Sequence, residues 1–444
     1  MIKIVLVSLV LWGLSGQLYA QDTLTVNFEE AVALAIKKNA AHNINVNNQL
    51  INKVNRQQAF YANFPTLGIN IHSQRVRGQQ SQQVDDEIIV DNFTNYGNSA
   101  SLYVNLPVFN MFRRVNTYKA EKLREEAGAL DLARSEQEVI FQVANQYLQV
   151  LLGRELLRIA EENLENQKEL LRQIEGYVEV GIRTLSDAYN QQSEVARLEA
   201  VNYDAQIQLL NDVFRLAEIM HLEEGWVPDV MSIGSELLPN SFKKIKLEEL
   251  LARAAGERPE IQRDEQLIKA YSKEVKASKA GFMPSINAFY GYNSFSTSIV
   301  ERSFNQQFFE VNPSGVIGVS LNIPIFSNFE HKANLARSNV ALLNQQITRD
   351  ASKRKVYHEV RLAHANYLAA ERKLETTTVQ LKAAEEAIKV ISERFRLGIS
   401  NFVDLAQANQ QLVQAQSDLA QARYTRYFQN IMLMYAVGDL DISF

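Results

Sequence analysis

The 444-residue sequence predicts an α+β membrane protein in which each half of the chain supplies one β-hairpin and one long α-helical hairpin. Three observations carry this prediction. The sequence is written twice at a spacing of about 217 residues, period-two alternation fills the interval between paired prolines, and stretches of about forty to seventy residues lack both glycine and proline.

The chain starts with the marks of a secretory signal over residues 1–20. Lys3 gives the positive start, Ile4 to Trp12 the apolar run, and Leu18-Tyr19-Ala20 a cleavage site before Gln21. The mature protein is therefore expected outside the cytoplasm. There is no cysteine, so neither a lipid-anchored precursor nor a disulfide is expected. After the signal no apolar run approaches the roughly 18 to 20 residues of a spanning helix, which argues against an α-helical inner-membrane protein. A net charge of −5 points to neither nucleic acid nor an anionic membrane surface as partner. A soluble periplasmic or secreted protein, or an outer-membrane barrel, remains.

The repeat places residues 21–240 in a first copy and 241–444 in a second, with Pro228 and Pro239 in the connecting stretch. Phe28-Glu29-Glu30-Ala31-Val32 resembles Leu247-Glu248-Glu249-Leu250-Leu251, and both open on short helices. Tyr61 to Leu67 resembles Ala280 to Ile286, and Asn105-Leu106-Pro107-Val108-Phe109 resembles Asn322-Ile323-Pro324-Ile325-Phe326.

Proline marks the element boundaries, because it lacks an N–H and interrupts helices and central strands. A hairpin is expected over about 65–107: Leu67, Ile69 and Ile71 alternate with Thr66, Gly68, Asn70 and His72, and Leu102, Val104 and Leu106 with Ser101, Tyr103 and Asn105. A second is expected over about 284–324, with Ile286, Ala288, Tyr290 and Tyr292 on one face and Ile317, Val319, Leu321 and Ile323 alternating with Gly318, Ser320 and Asn322. Four strands of about 10 residues result, with Gly78 to Gly97 and Thr297 to Pro313 as polar loops. Tyr103, Tyr290 and Tyr292 are candidates for an interfacial girdle. Alternation alone fits a small soluble sheet packed on a helix as well as it fits a membrane barrel.

The helices shift that balance. Ser327 to Leu397 contains no glycine or proline and is rich in good helix formers, with Leu335, Val340, Leu343 and Ile347 at helical spacing. A continuous helix there would span roughly 100 Å at 1.5 Å per residue. Ile182 to Glu224 and Ile399 to Val437 are equally free of breakers. Long helical hairpins are thus expected over about 110–224 and 327–437.

Both hairpins turn on one pattern, Val180-Gly181-Ile182-Arg183-Thr184-Leu185-Ser186-Asp187 and Leu397-Gly398-Ile399-Ser400-Asn401-Phe402-Val403-Asp404. Gly181 and Gly398 suit the left-handed position that ends a helix. Thr184 and Asn401 suit the next N-cap, with Asp187 and Asp404 three residues on in the manner of a capping box. The first task of both aspartates is then to start a helix; in a closed ring of copies they would also recur around an axis as a carboxylate ring.

With the repeat, hairpins and tips assembled, the chain resembles the TolC family of outer membrane efflux proteins from about Phe28 to Leu440. The resemblance is most specific in Gly398 to Asp404, Ala406-Gln407-Ala408-Asn409 and Ser417 to Tyr424. It implies a homotrimer whose strands form a twelve-stranded barrel in outer-membrane lipid and whose helices form a periplasmic α-barrel. It also implies a passive exit duct for tripartite efflux or type I secretion, working with a periplasmic adaptor and an inner-membrane pump of RND or ABC type. By the same resemblance Asp404 matches a pore-facing acidic ring and Asp187 the acidic residue of the other tip. Gln407 stands where some members carry a second aspartate, Ser400 where they carry arginine and Phe395 where they carry tyrosine. Arg183 is the candidate to replace the missing ion-pair latch.

No catalytic residue, cofactor or metal site is expected. The sequence has no H-E-x-x-H, Walker loop, G-x-S-x-G or cysteine nucleophile, and His358 and His364 fall on different helix faces. The competing reading is a periplasmic coiled-coil adaptor or scaffold without a pore. It leaves the duplicated β-hairpins unexplained.

Overall fold

The computed structural model describes residues 22–84, 87–223, 225–232, 242 and 245–440; the expected signal segment 1–20 lies outside them. In chain order the elements are β1 (Asp22–Val26), α1 (Phe28–Lys38), α2 (Ala40–Tyr61), β2 (Thr66–Val84), β3 (Glu87–Phe109), α3 (Arg113–Glu179) and α4 (Leu185–Ile219). There follow β4 (Trp226–Val230), α5 (Leu247–Glu257), α6 (Pro259–Lys279), β5 (Ser285–Thr297), β6 (Ser314–Asn322), α7 (Glu330–Arg396) and α8 (Phe402–Val437). Helices α3 and α7 each have 67 residues, roughly 100 Å of helix.

The chain divides into two compact units that cut across the repeat. One is Asn45–Leu132 with Pro259–Lys353; the other is Met1–Ile44, Ala133–Arg258 and Arg354–Phe444. Each unit takes helices from both copies, so each core is shared between the copies.

The Asn45–Leu132 and Pro259–Lys353 unit holds one antiparallel sheet in the order β2-β3-β5-β6. Its register sets Leu67 beside Val104, Tyr290 and Ile317 in turn, and Ile69 beside Leu102 and Tyr292. That face is apolar and open: Ile71 is 80% and Ile317 85% exposed. The opposite face carries Gly68, Tyr103 and Gly291 in one row and Asn70, Ser101 and Asn293 in another. Tyr103 therefore does not stand with Tyr290 and Tyr292. Its ring covers Gly68, where a β-carbon would lie 2.3 Å away, as Phe289 covers Gly318 at 2.6 Å.

The first hairpin is longer than its composition suggested. Pairing continues past Arg75↔Tyr96 to Val84↔Glu87, so most of Gly78 to Gly97 is ladder rather than loop. Main-chain hydrogen bonds close regardless of side-chain polarity, and the Gln, Ser, Asn and Thr here resemble loop residues only in composition. Pro107 lies inside β3, beyond the last β2 partner Asn105 and beside a bulge, where only one neighbouring strand remains.

Strand passes to helix through two consecutive left-handed residues, Met111 (φ 51°) and Phe112 (φ 61°), and again through Asn328 (φ 48°) and Phe329 (φ 69°). The pairs are 217 residues apart, so the duplication preserved a strained junction costing about 1–3 kcal/mol per residue. No glycine marks it in the sequence.

In the other unit β1 pairs in parallel with β4, which lies in the stretch read from sequence as a connector and includes Pro228. Tyr147 of α3 locks this pair to the helix. Its hydroxyl donates to the carbonyls of Met231 (2.7 Å) and Val26 (3.3 Å), and Phe28 meets its ring edge-on at 5.7 Å. Burial pushes the phenol up to about 12. Because the unfolded phenol ionises near 10, the neutral folded form is favoured less and less as pH rises from about 10 to 12. Stability present below that window is lost across it. Tyr147→Phe is expected to cost about 1 kcal/mol at neutral pH and to flatten that alkaline slope, as read by urea unfolding at stepped pH.

Candidate functional site at the helical tips

The two tips share one backbone. At the end of α3, Gly181 (φ 75°) bonds its N–H to Val178 O at 3.0 Å and Ile182 to Tyr177 O at 2.8 Å. At the end of α7, Gly398 (φ 75°) bonds to Phe395 O at 3.0 Å and Ile399 to Arg394 O at 2.9 Å. This double closure needs a left-handed residue, which glycine adopts without a β-carbon clash.

The next helices start differently. Thr184 accepts from Asp187 N at 3.3 Å while the Asp187 carboxylate takes Thr184 N at 3.2 Å, a complete capping box. Asn401 accepts from Asp404 N at 2.9 Å, but the Asp404 carboxylate takes the Ser400 hydroxyl at 3.0 Å instead of closing the box. Both carboxylates lie at the positive end of a helix. Asp404 and Gln407 are exposed, three residues apart on α8.

Arg183 joins the tips. Its guanidinium donates to Phe395 O at 2.6 Å and lies 4.0 Å from the centre of the Phe395 ring. A cation at the C-terminus of α7 also meets the negative end of that helix. The position equivalent to Arg183 in the second copy is Ser400, which stays within its own tip. The link therefore runs one way, from a carbonyl and a ring on one tip to a guanidinium on the other, and not between opposite charges.

Phe395 itself is a core residue, 5% exposed, clustered with Ile174 and Leu405 and flanked by Leu170, Val178, Ile388 and Phe402. Further along, Gln191, 1% exposed, donates to Gln167 O at 2.9 Å and Asn409 donates to Asn163 at 3.0 Å, polar ties that fix helix register. Val180, Ile182, Leu185, Leu397, Ile399 and Val403 are all more than half exposed at the tips. Sequence reading passed over these six, although apolar residues flanking a helix-ending glycine were the available signal.

A profile described as outer membrane efflux protein matches residues 38–220 and 250–439. The chain belongs to the outer membrane efflux protein family. The chain is 24% identical over 345 residues to the outer membrane efflux protein BepC of Brucella suis, covering 77% of this chain and 72% of that one. It is 23% identical over 348 residues to the outer membrane protein TolC of Vibrio cholerae, covering 77% of each. Among solved structures, CusC shares the fold with a TM-score of 0.80 at 17% identity, over 93% of this chain and 92% of that one. As a member of the outer membrane efflux protein family, the chain is an outer-membrane channel protein whose helical part extends into the periplasm and serves as an exit duct.

Proposed function

We propose that three copies of this chain close into one passive duct that receives cargo from an inner-membrane pump through a periplasmic adaptor, and that the helical tips are its gate. One observation carries the reading. Among the described residues the sheet is open, with β2 and β6 each paired on one side only, and its exposed face is apolar. Lipid offers no hydrogen bonds to an open edge, so the edges must pair with other copies, and three sets of four strands make a closed barrel.

The helices support the same assembly. On α4, Tyr203, Ile207, Leu210 and Phe214 form an exposed stripe at coiled-coil spacing, and on α7 Val340, Leu343 and Ile347 form another. Uncovered stripes of this kind mark protein interfaces. At the tips, the exposed Val180, Ile182, Leu397 and Ile399 are the surface proposed for the adaptor's helical hairpins. Asp404, recurring in each copy, would line the mouth with carboxylates and favour cations. Nothing in this conduit calls for catalysis or a cofactor.

The test is direct. Outer-membrane fractions should yield a trimer that survives unheated detergent electrophoresis, collapses on boiling and conducts in planar bilayers. Because the chain lacks cysteine, Ile182→Cys and Ile399→Cys give clean single sites for cross-linking to the adaptor. A monomer recovered from the periplasm would end the proposal.

A further inference from the structure

The strands join their helices at Thr66, Phe109, Ser285 and Asn322, so with the helices in the periplasm the opposite strand ends face outward. Toward that end the lipid-facing row of β2 changes character without a break in register: Leu67, Ile69 and Ile71 give way to Ser73, Arg75 and Arg77. Arg75 pairs with Tyr96 and its guanidinium sits 5.5 Å from that ring. Among the residues whose side chains are described, neither arginine has a carboxylate partner.

Beside Tyr96 a loop folds over the same face. Ser294 and Ser296 continue the row of Tyr290 and Tyr292, yet each is only 5% exposed. They are covered by the π-helical turn Gln306–Val311. Ser294 donates to Phe308 O, and the buried Gln307 accepts from Thr297 N at 2.9 Å while donating to Thr297 O at 3.0 Å. Asn312 ties the end of the turn to Phe295 O at 2.7 Å. Two serines that would face lipid are thus hidden, and Phe304 and Phe309 are presented in their place, 48% and 67% exposed, with Phe304 stacked on Phe308 at 5.0 Å. The loop is continuous with the arginine row, since Tyr96 exchanges hydrogen bonds with Ser298 at 2.9 Å.

We propose that this outer rim is a headgroup site for phosphate-bearing lipid of the outer leaflet, in which Arg75 and Arg77 hold the phosphate and Phe304 and Phe309 pack on the adjoining upper acyl region. The position continues the lipid-facing surface, and the charge is complementary to phosphate. Guanidinium groups match phosphate oxygens with paired N–H donors, and aromatic rings suit the boundary between hydrocarbon and headgroup.

The experiment uses the full chain purified in detergent, with dioleoyl phosphatidic acid and dioleoylglycerol as probes of equal acyl chains, retained lipid being counted by native mass spectrometry. The expected result is a preference of roughly tenfold for the phosphate lipid, lost in Arg75→Gln/Arg77→Gln and largely kept in Arg75→Lys/Arg77→Lys. Phe304→Ser/Phe309→Ser should lower retention of both lipids together. The lysine variant controls for folding, as does survival of the detergent-resistant oligomer. An unchanged preference in the glutamine variant, or displacement of the lipid by millimolar inorganic phosphate alone, would overturn the assignment.

Discussion

Arg183→Ala is expected to raise the open probability of the channel by about tenfold or more in planar bilayers and to sensitise cells to bulky solutes. Separating the tips must break the Arg183 bond to Phe395 O and lift the guanidinium from the ring. A charge-assisted hydrogen bond contributes about 1.5–3 kcal/mol and a half-exposed cation–π contact about 0.5–1 kcal/mol. Even a sum near 1.4 kcal/mol shifts a two-state equilibrium tenfold.

Phe395→Ala separates the two contributions. It removes the ring but leaves the carbonyl, so its coupling to Arg183→Ala in a double-mutant cycle reports the stacking alone. The single change should also cost about 3–5 kcal/mol of stability, since the ring fills the Ile174 and Leu405 cluster. Arg183→Lys should be intermediate: it keeps the charge and loses the planar stack. Wild-type conductance in Arg183→Ala would show that the tips are held closed by something else.

The Arg183–Phe395 contact marks where sequence reading reached its end. Gly181, Gly398, Thr184, Asn401 and the two aspartates were legible because helix termination and capping are local, needing only residues within about one turn. The apolar strand face was legible for the same reason, since alternation fixes which residues share a side. Arg183 and Phe395 are 212 positions apart, and only the folded chain brings them together. Matched against an ion-pair pattern, Phe395 was expected at the gate. It is buried core whose carbonyl and ring meet Arg183 of the other tip.

The other misses have the same origin. Polar residues 78–97 were read as loop because composition does not reveal a ladder that main-chain bonds close. The left-handed pairs at Met111-Phe112 and Asn328-Phe329 carry no glycine to announce them, so local propensity pointed away from the conformation that the junction imposes. The β1 and β4 pairing joins residues about two hundred positions apart and rests on Tyr147 of a third element.

Arg258→Met is expected to destabilise the protein by about 3–5 kcal/mol, the size of losing two hydrogen bonds from a buried guanidinium at about 1.5–3 kcal/mol each. The Arg258 side chain is 1% exposed. It donates to the carbonyls of Tyr435 (3.1 Å) and Ala436 (2.9 Å) and to Glu359 (2.8 Å). It therefore adds to the cap on α8, where the Gly438 N–H also reaches Tyr435 O, and ties α8 to α7. Gly438, left-handed at φ 92°, ends α8 against the Arg258 backbone, where a β-carbon would stand 3.3 Å from its Cα. Methionine would fill most of the volume but take the guanidinium from Ala436 O, and would leave Tyr435 O to the Gly438 N–H (3.2 Å) and Glu359 to Lys355 (3.7 Å). Lysine keeps the charge but lacks the planar fork that spans the carbonyls and the carboxylate, so Arg258→Lys should recover only part of the loss. The repeat supplies an internal control. Arg258 (φ −63°, ψ 118°) and Asn39 (φ −62°, ψ 120°) close their 11-residue helices with the same backbone, but Asn39 bonds only locally, to His42 N at 2.9 Å. Asn39→Ala should thus cost about 1 kcal/mol, a cap's worth, and leave the detergent-resistant oligomer intact. Equal thermal unfolding temperatures for the two variants would mean that the Arg258 network adds nothing beyond a cap, and that the end of α8 is held by packing alone.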